Sequence, residues 1–163
     1  MNPTPEKTSV MAPFILMLFL YFIVGLFTVI NQQFQVPLKS ALLPHDGNMT
    51  NALVTLLNFS WFLAYPFSEG FATRWVDRLG YRKTSVYSLL IFIAGLGFYE
   101  AAVLLHIYAP SYITIMGNPI FTGFFVFLSG SFVIGMAVTI LQVVTGLYLD
   151  VNPVGKTTPL QRQ

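Results

Sequence analysis

Apolar and polar positions divide the chain into four long hydrophobic runs separated by short polar breaks. The first run, Met11 to Ile30, holds no charged residue, and at ~1.5 Å per residue it is long enough to cross a hydrocarbon core of ~30 Å. The helix it predicts spans residues 11–41, continuing through Asn31, Gln32, Gln33 and Gln35, with Pro37 kinking its end. Residues 42–49 carry Pro44-His45-Asp46-Gly47-Asn48, a turn cluster. Thr50 or Asn51 then caps a second helix over 50–75. Pro66 is expected to bend this helix rather than break it, because neighbouring membrane helices can satisfy the freed carbonyl. A charged break at 76–83 precedes a third helix over 84–108. Residues 109–119, with Pro110, Gly117, Asn118 and Pro119, read as a second outer loop. The fourth helix, 120–149, is long enough to imply tilt or emergence into water. Residues 1–10 form a polar tail, and 150–163 form a second polar segment.

Composition fixes the class. The chain is 55% hydrophobic and only 9% charged, whereas a soluble domain carries roughly a quarter charged residues. The expected fold is therefore an all-α integral membrane protein of four transmembrane helices. The N-terminus superficially resembles a signal peptide, with Lys7 ahead of an apolar run. That run is longer than the usual ~7–15 residues, and no A-x-A site follows it. It is expected to remain as a helix.

Charge sets the orientation. Half of the eight Lys and Arg lie in residues 73–83, a stretch that belongs in water and, by the positive-inside rule, in the cytoplasm. Lys7, Arg74, Arg78, Arg82, Lys83, Lys156 and Arg162 fall on that side, while the outer loops hold only Lys39 and the opposing Asp46. Both termini are accordingly expected to be cytoplasmic. The net charge of +2 does not imply a nucleic-acid partner, since the cations gather beside the membrane rather than along an exposed face. With no cysteine, disulfides and thiolate chemistry are excluded.

Polar groups within the spans are the candidate functional residues, because hydrocarbon tolerates them mainly where they face a bundle interior or a watery cavity. On the first helix Gly25, Thr28, Gln32 and Gln35 recur at helical spacing and share a face, with Asn31 and Gln33 nearby. Such amides suit a neutral polyhydroxylated ligand; alternatively they are interfacial residues at a helix end. Asn58 on the second helix is either a ligand contact or an interhelical hydrogen bond. Glu69 is expected to reach water or to pair with Arg74 or Arg78 rather than carry protons. Glu100, near the outer surface, is expected to reach water. Gly95 and Gly97 favour close helix approach. The fourth helix carries Ser131, Gly135, Thr139, Gln142 and Gly146 in one narrow stripe. Its small residues suit tight packing, while Gln142 is either an interhelical clamp or a ligand contact. His106 has no partner at metal-ligand spacing. No catalytic constellation, phosphate-cradling loop, metal site or cofactor site is apparent, so the chain is not expected to be an enzyme.

Asp77-Arg78-Leu79-Gly80-Tyr81-Arg82-Lys83 resembles the cytoplasmic signature loop of the major facilitator superfamily, D-R-x-G-R-R/K in outline. Thr73 stands where that signature has a further Gly. Tyr21 to Asn31, with Pro37-Leu38-Lys39, looks like the first helix of the fucose and glucose/galactose permease branch. Leu141-Gln142-Val143-Val144 before Tyr148-Leu149 looks like that branch's fourth-helix L-Q-V-V-x-N-P-Y-L, with Gly146-Leu147 in place of Asn-Pro. Asn58 falls where the branch often has Gln.

The resemblance implies the N-terminal part of a twelve-helix sugar (hexose) permease in the bacterial inner membrane, operating by alternating access. Together with the amide face of the first helix, it makes Gln32, Gln33, Gln35, Asn58 and Gln142 the expected substrate-binding residues. It assigns Asp77, Arg78, Gly80, Arg82 and Lys83 to a conformational latch. The expected partners are a small-molecule sugar, the lipid bilayer, a coupling ion (sodium or proton) and the remaining helices of a full-length transporter, without which the chain is not expected to transport. Gln33 and Gln142 occupy the positions where proton-coupled fucose permeases carry acids. Amides do not titrate near neutral pH, so sodium coupling, facilitated exchange or an acid elsewhere is expected. The competing expectations are a four-helix membrane structural or assembly subunit and a small self-associating exporter. Glu69 and Glu100 lie too near the membrane faces to supply the central acid that such an exporter needs.

Overall fold

The computed structural model describes residues 8–43, 48–115 and 117–151. Three helices dominate it: α1 (Thr8–Leu42), α2 (Asn48–Tyr108) and α3 (Thr122–Val151). Two short strands, β1 (Tyr112–Ile115) and β2 (Asn118–Phe121), precede α3. All three helices are long and apolar enough to cross a membrane, as an all-α membrane protein requires.

Where the hydrophobic pattern predicts four separate helices, the backbone forms three. The charged stretch expected as a loop is helical on both sides of Gly80, and α2 runs for 61 residues. Arginine, leucine and lysine are good helix formers, so the polarity of residues 76–83 does not itself unwind the chain. Gly80 does interrupt it, with φ 76° and ψ 167°. That region of backbone space is open essentially to glycine alone.

The interruption folds α2 back on itself. Ala72 and Val76, before Gly80, and Tyr81 and Ile91, after it, pack in one cluster with Ile140 and Val144 of α3. Farther from Gly80, Leu57 and Ala102 meet around Phe127. Residues equidistant from Gly80 therefore reach the same level of α3. The two arms, 48–79 and 81–108, lie side by side along it.

α3 is the central element. Its most apolar stretch is 61% buried, against 17% for that of α2 and 11% for that of α1. Close approach explains this. A Cβ on Gly135 would lie 2.7 Å from the Trp61 carbonyl oxygen and 3.0 Å from Ala64 Cβ, while a Cβ on Gly95 would collide with Ile134. Hydrogen bonds help tie the arms to α3: Ser60 Oγ donates to the Leu128 carbonyl at 2.9 Å, and Tyr99 Oη lies 2.9 Å from Ser131 Oγ. Most other buried hydroxyls, including Ser68, Thr84, Thr139 and Thr145, donate to carbonyls in their own helix. They are satisfied without joining helices.

Residues 109–119, expected as a loop, contain β1 and the start of an antiparallel hairpin, with Tyr112 opposite Phe121 and Ile115 opposite Asn118. Gly117 takes φ 83° in its turn. Ile120 is fully buried with Leu53 and Phe124, beside Leu43 and Met49. The hairpin thus closes the end of the bundle opposite Gly80.

Candidate functional site

Three elements meet around Trp61. Val24 of α1, Trp61 of the first arm, and Ile134, Val138 and Leu141 of α3 form a buried cluster flanked by Leu20, Tyr65, Phe92 and Tyr99. α1 is also held to the second arm, where the Phe27 and Phe92 rings lie 4.7 Å apart. Beside this cluster lies a cleft of about 250 Å³, lined by Tyr21, Val24, Gly25, Thr28 and Val29 of α1, Tyr65 of the first arm and Gln142 of α3.

The lining carries no Asp, Glu, Lys or Arg. Two phenols, a carboxamide and a hydroxyl stand among aliphatic groups, giving donors and acceptors without net charge. Thr28 Oγ1 donates to the Val24 carbonyl at 3.0 Å, leaving its oxygen free to accept. The Gln142 side chain is half-buried, and its carboxamide forms no hydrogen bond among the described residues. Such a wall can hold a neutral, hydroxylated ligand by hydrogen bonds and by ring contact.

The stripe along α3 divides at this point. Ser131 bonds Tyr99, Gly135 receives Trp61, and Thr139 is buried with its hydroxyl turned to the Gly135 carbonyl. These three residues serve packing. Gln142 faces the cleft, and a Cβ on Gly146 would meet nothing within 4 Å. Gly95 contributes to close approach; a Cβ on Gly97 would meet only open space.

The other expected binding residues are more dispersed. Gln32 and Gln33 are exposed on α1, beyond the cleft. Gln35 is helical, but its side chain lies outside the described residues. Asn58 is half-buried and already engaged in an interaction, and it does not line the cleft. Tyr21 and Tyr65 do line it, although sequence reasoning did not assign them to binding. The signal for Tyr65 was its place four residues after Trp61, on the same face of the helix.

Asp77, Arg78, Arg82 and Lys83 are exposed around half-buried Gly80 at the bend. None forms an ion pair among the described residues. Aromatic contacts hold the bend instead: Tyr81 meets Tyr148 of α3 at 5.5 Å, and Trp75 meets Tyr87 across the two arms at 6.2 Å. Glu69 is exposed and likewise forms no ion pair among the described residues. At ~100° per residue Arg74 and Arg78 point about 140° and 180° away from it, which explains the missing pair. Glu100 is exposed, and the His106 ring packs edge-on to Phe121 at 5.0 Å.

Comparison with protein-family models, with curated proteins and with solved structures finds no match to this chain.

Proposed function

We propose that this chain is part of a secondary-active sugar (hexose) permease of the major facilitator type, working by alternating access in the bacterial inner membrane. In this reading α2 crosses the membrane twice and reverses at Gly80 on the cytoplasmic side, so that the chain contributes four spans. The observation that carries the proposal is the uncharged cleft at the junction of α1, the first arm and α3, with the Gln142 carboxamide, unpaired among the described residues, on its wall. A neutral polyol needs several weak donors and acceptors and no fixed charge, which is what the lining offers. Gln32 and Gln33, exposed on α1 beyond this cleft, are further ligand contacts where additional helices complete the cavity. In this reading the exposed Asp77, Arg78, Arg82 and Lys83 latch the cytoplasmic face, with Gly80 setting the bend. Coupling is to sodium, or to protons through an acid placed elsewhere than at Gln33 and Gln142, or transport is by exchange.

Two measurements test the proposal. The chain, reconstituted in phosphatidylethanolamine/phosphatidylglycerol nanodiscs, is expected to bind radiolabelled D-galactose, D-glucose or L-fucose saturably, and Gln142→Ala is expected to weaken that binding by about tenfold. Absence of saturable binding to all three sugars removes the permease reading and leaves an assembly subunit. Because the chain has no native cysteine, Leu79→Cys gives a single label site. It is expected to react with an impermeant maleimide only from the cytoplasmic side; labelling only from outside reverses the topology.

A further inference from the structure

Among the described residues, one buried side-chain nitrogen or oxygen lacks a hydrogen-bond partner: the indole Nε1 of Trp61. Trp61 is only 2% exposed, so water at the protein surface does not satisfy it. Buried polar groups are nearly always paired, and each exception calls for a reason. The surroundings of Trp61 supply no obvious partner from the protein. It clusters with Val24, Ile134, Val138 and Leu141, with Leu20, Tyr65, Phe92 and Tyr99 at the margin, and the Tyr99 hydroxyl is engaged with Ser131.

The position of this orphan donor matters. Val24 and Tyr65 are shared between the Trp61 cluster and the cleft, and Leu141 immediately precedes the cleft residue Gln142. Trp61 therefore belongs to the cluster that packs against two residues of the cleft wall. The element carrying Val24 is α1, whose most apolar stretch is only 11% buried. Reaching the indole requires α1 to shift at Val24, and α1 is the least buried of the three helices.

We infer that Trp61 is a ligand-positioning residue whose indole N–H donates a hydrogen bond to an oxygen of the neutral hydroxylated ligand held in the cleft. This rests on the binding role proposed above. An indole N–H only donates, so the ligand must present an acceptor, a hydroxyl or ring oxygen, at its deepest point. Gln142, which both donates and accepts, then serves the more exposed part of the same ligand. Trp61 also gives the cleft a preference: a group that can only donate, such as an ammonium, leaves the indole N–H unpaired and is disfavoured.

The experiment reads the indole proton directly. The whole chain, labelled with ¹⁵N-tryptophan, is placed in nanodiscs of the composition above and titrated with D-galactose, D-glucose and L-fucose. Only Trp61 and Trp75 contribute indole signals, and Trp75→Phe assigns them without touching the cleft. The sugar that binds is expected to move the Trp61 indole resonance downfield and leave Trp75 in place. Trp61→Phe is expected to weaken binding roughly fivefold. If a sugar binds and Gln142→Ala weakens that binding, yet the Trp61 proton stays still, the inference falls while the permease reading stands. If no sugar binds wild-type protein in equilibrium dialysis, the reading falls and takes the inference with it. Should Trp61→Phe fail to fold, the wild-type resonance still decides.

Discussion

α1 and α3 are both strongly apolar helices with small and polar residues at three- and four-residue spacing, yet they use that pattern in opposite ways. In α3 the stripe is filled along most of its length: Ser131 is bonded to Tyr99, and Gly135 lies against the Trp61 backbone. In α1 the matching residues Gly25 and Thr28 line a cleft, and a Cβ on Gly25 would meet nothing within 4 Å. Periodicity identifies residues that share a face. Whether another helix occupies that face depends on the partner.

The sharpest way to break this comparison is to place the same bulky side chain in both stripes. Gly135→Leu drives a side chain into the Trp61 carbonyl and Ala64, and overpacking of this kind is expected to cost about 3 kcal/mol. Gly25→Leu enters open space and is expected to change stability by less than ~0.5 kcal/mol. It fills the cleft, however, so saturable sugar binding is expected to disappear. Unfolding of the two variants in detergent micelles, followed by helical circular dichroism, measures the difference. Equal losses of stability would mean that α1 is packed as tightly as α3.

A smaller effect is expected at the bend. Gly80→Ala meets no steric neighbour, so its cost comes from the backbone alone. A non-glycine residue at φ 76° and ψ 167° is strained by about 1–3 kcal/mol. Gly97→Ala, exposed on the second arm with open space around it, is the control and is expected to be neutral or slightly stabilising. If Gly80→Ala matches Gly97→Ala in the same unfolding measurement, the sharp reversal is not what holds the arms together.

Much of the helical fold was legible because hydrocarbon-length apolar runs have few alternatives in a membrane. The charged stretch 76–83 was legible as a break in hydrophobicity. The helical backbone on either side of Gly80 was not, because polarity and helix propensity are separate properties and Arg78, Leu79, Arg82 and Lys83 favour helix. The strand Tyr112-Ile113-Thr114-Ile115 was hidden among proline and glycine signals, although its β-branched and aromatic content pointed to a strand. At the cleft, Gln142 stood out as an amide on an apolar helix. Tyr21 and Tyr65 did not, since tyrosine serves equally well as packing, interface anchor or ligand contact. Only the three-helix junction separates these roles.

The finest test compares two tyrosines that the sequence cannot rank. Tyr99 Oη is bonded to Ser131, and its ring stacks on Phe127 at 4.0 Å, whereas Tyr65 borders the cleft. Tyr99→Phe keeps the ring and removes one interhelical hydrogen bond, an average loss of about 0.6 kcal/mol in a membrane bundle. Sugar binding is expected to be unchanged. Tyr65→Phe is expected to leave stability unchanged and to weaken binding by about threefold, the effect of one modest hydrogen bond to a neutral ligand. Stability and binding measured on both variants form a two-by-two comparison. A stability loss confined to Tyr65→Phe, or a binding loss confined to Tyr99→Phe, would show that the division between packed stripe and open cleft has been drawn on the wrong side of Trp61.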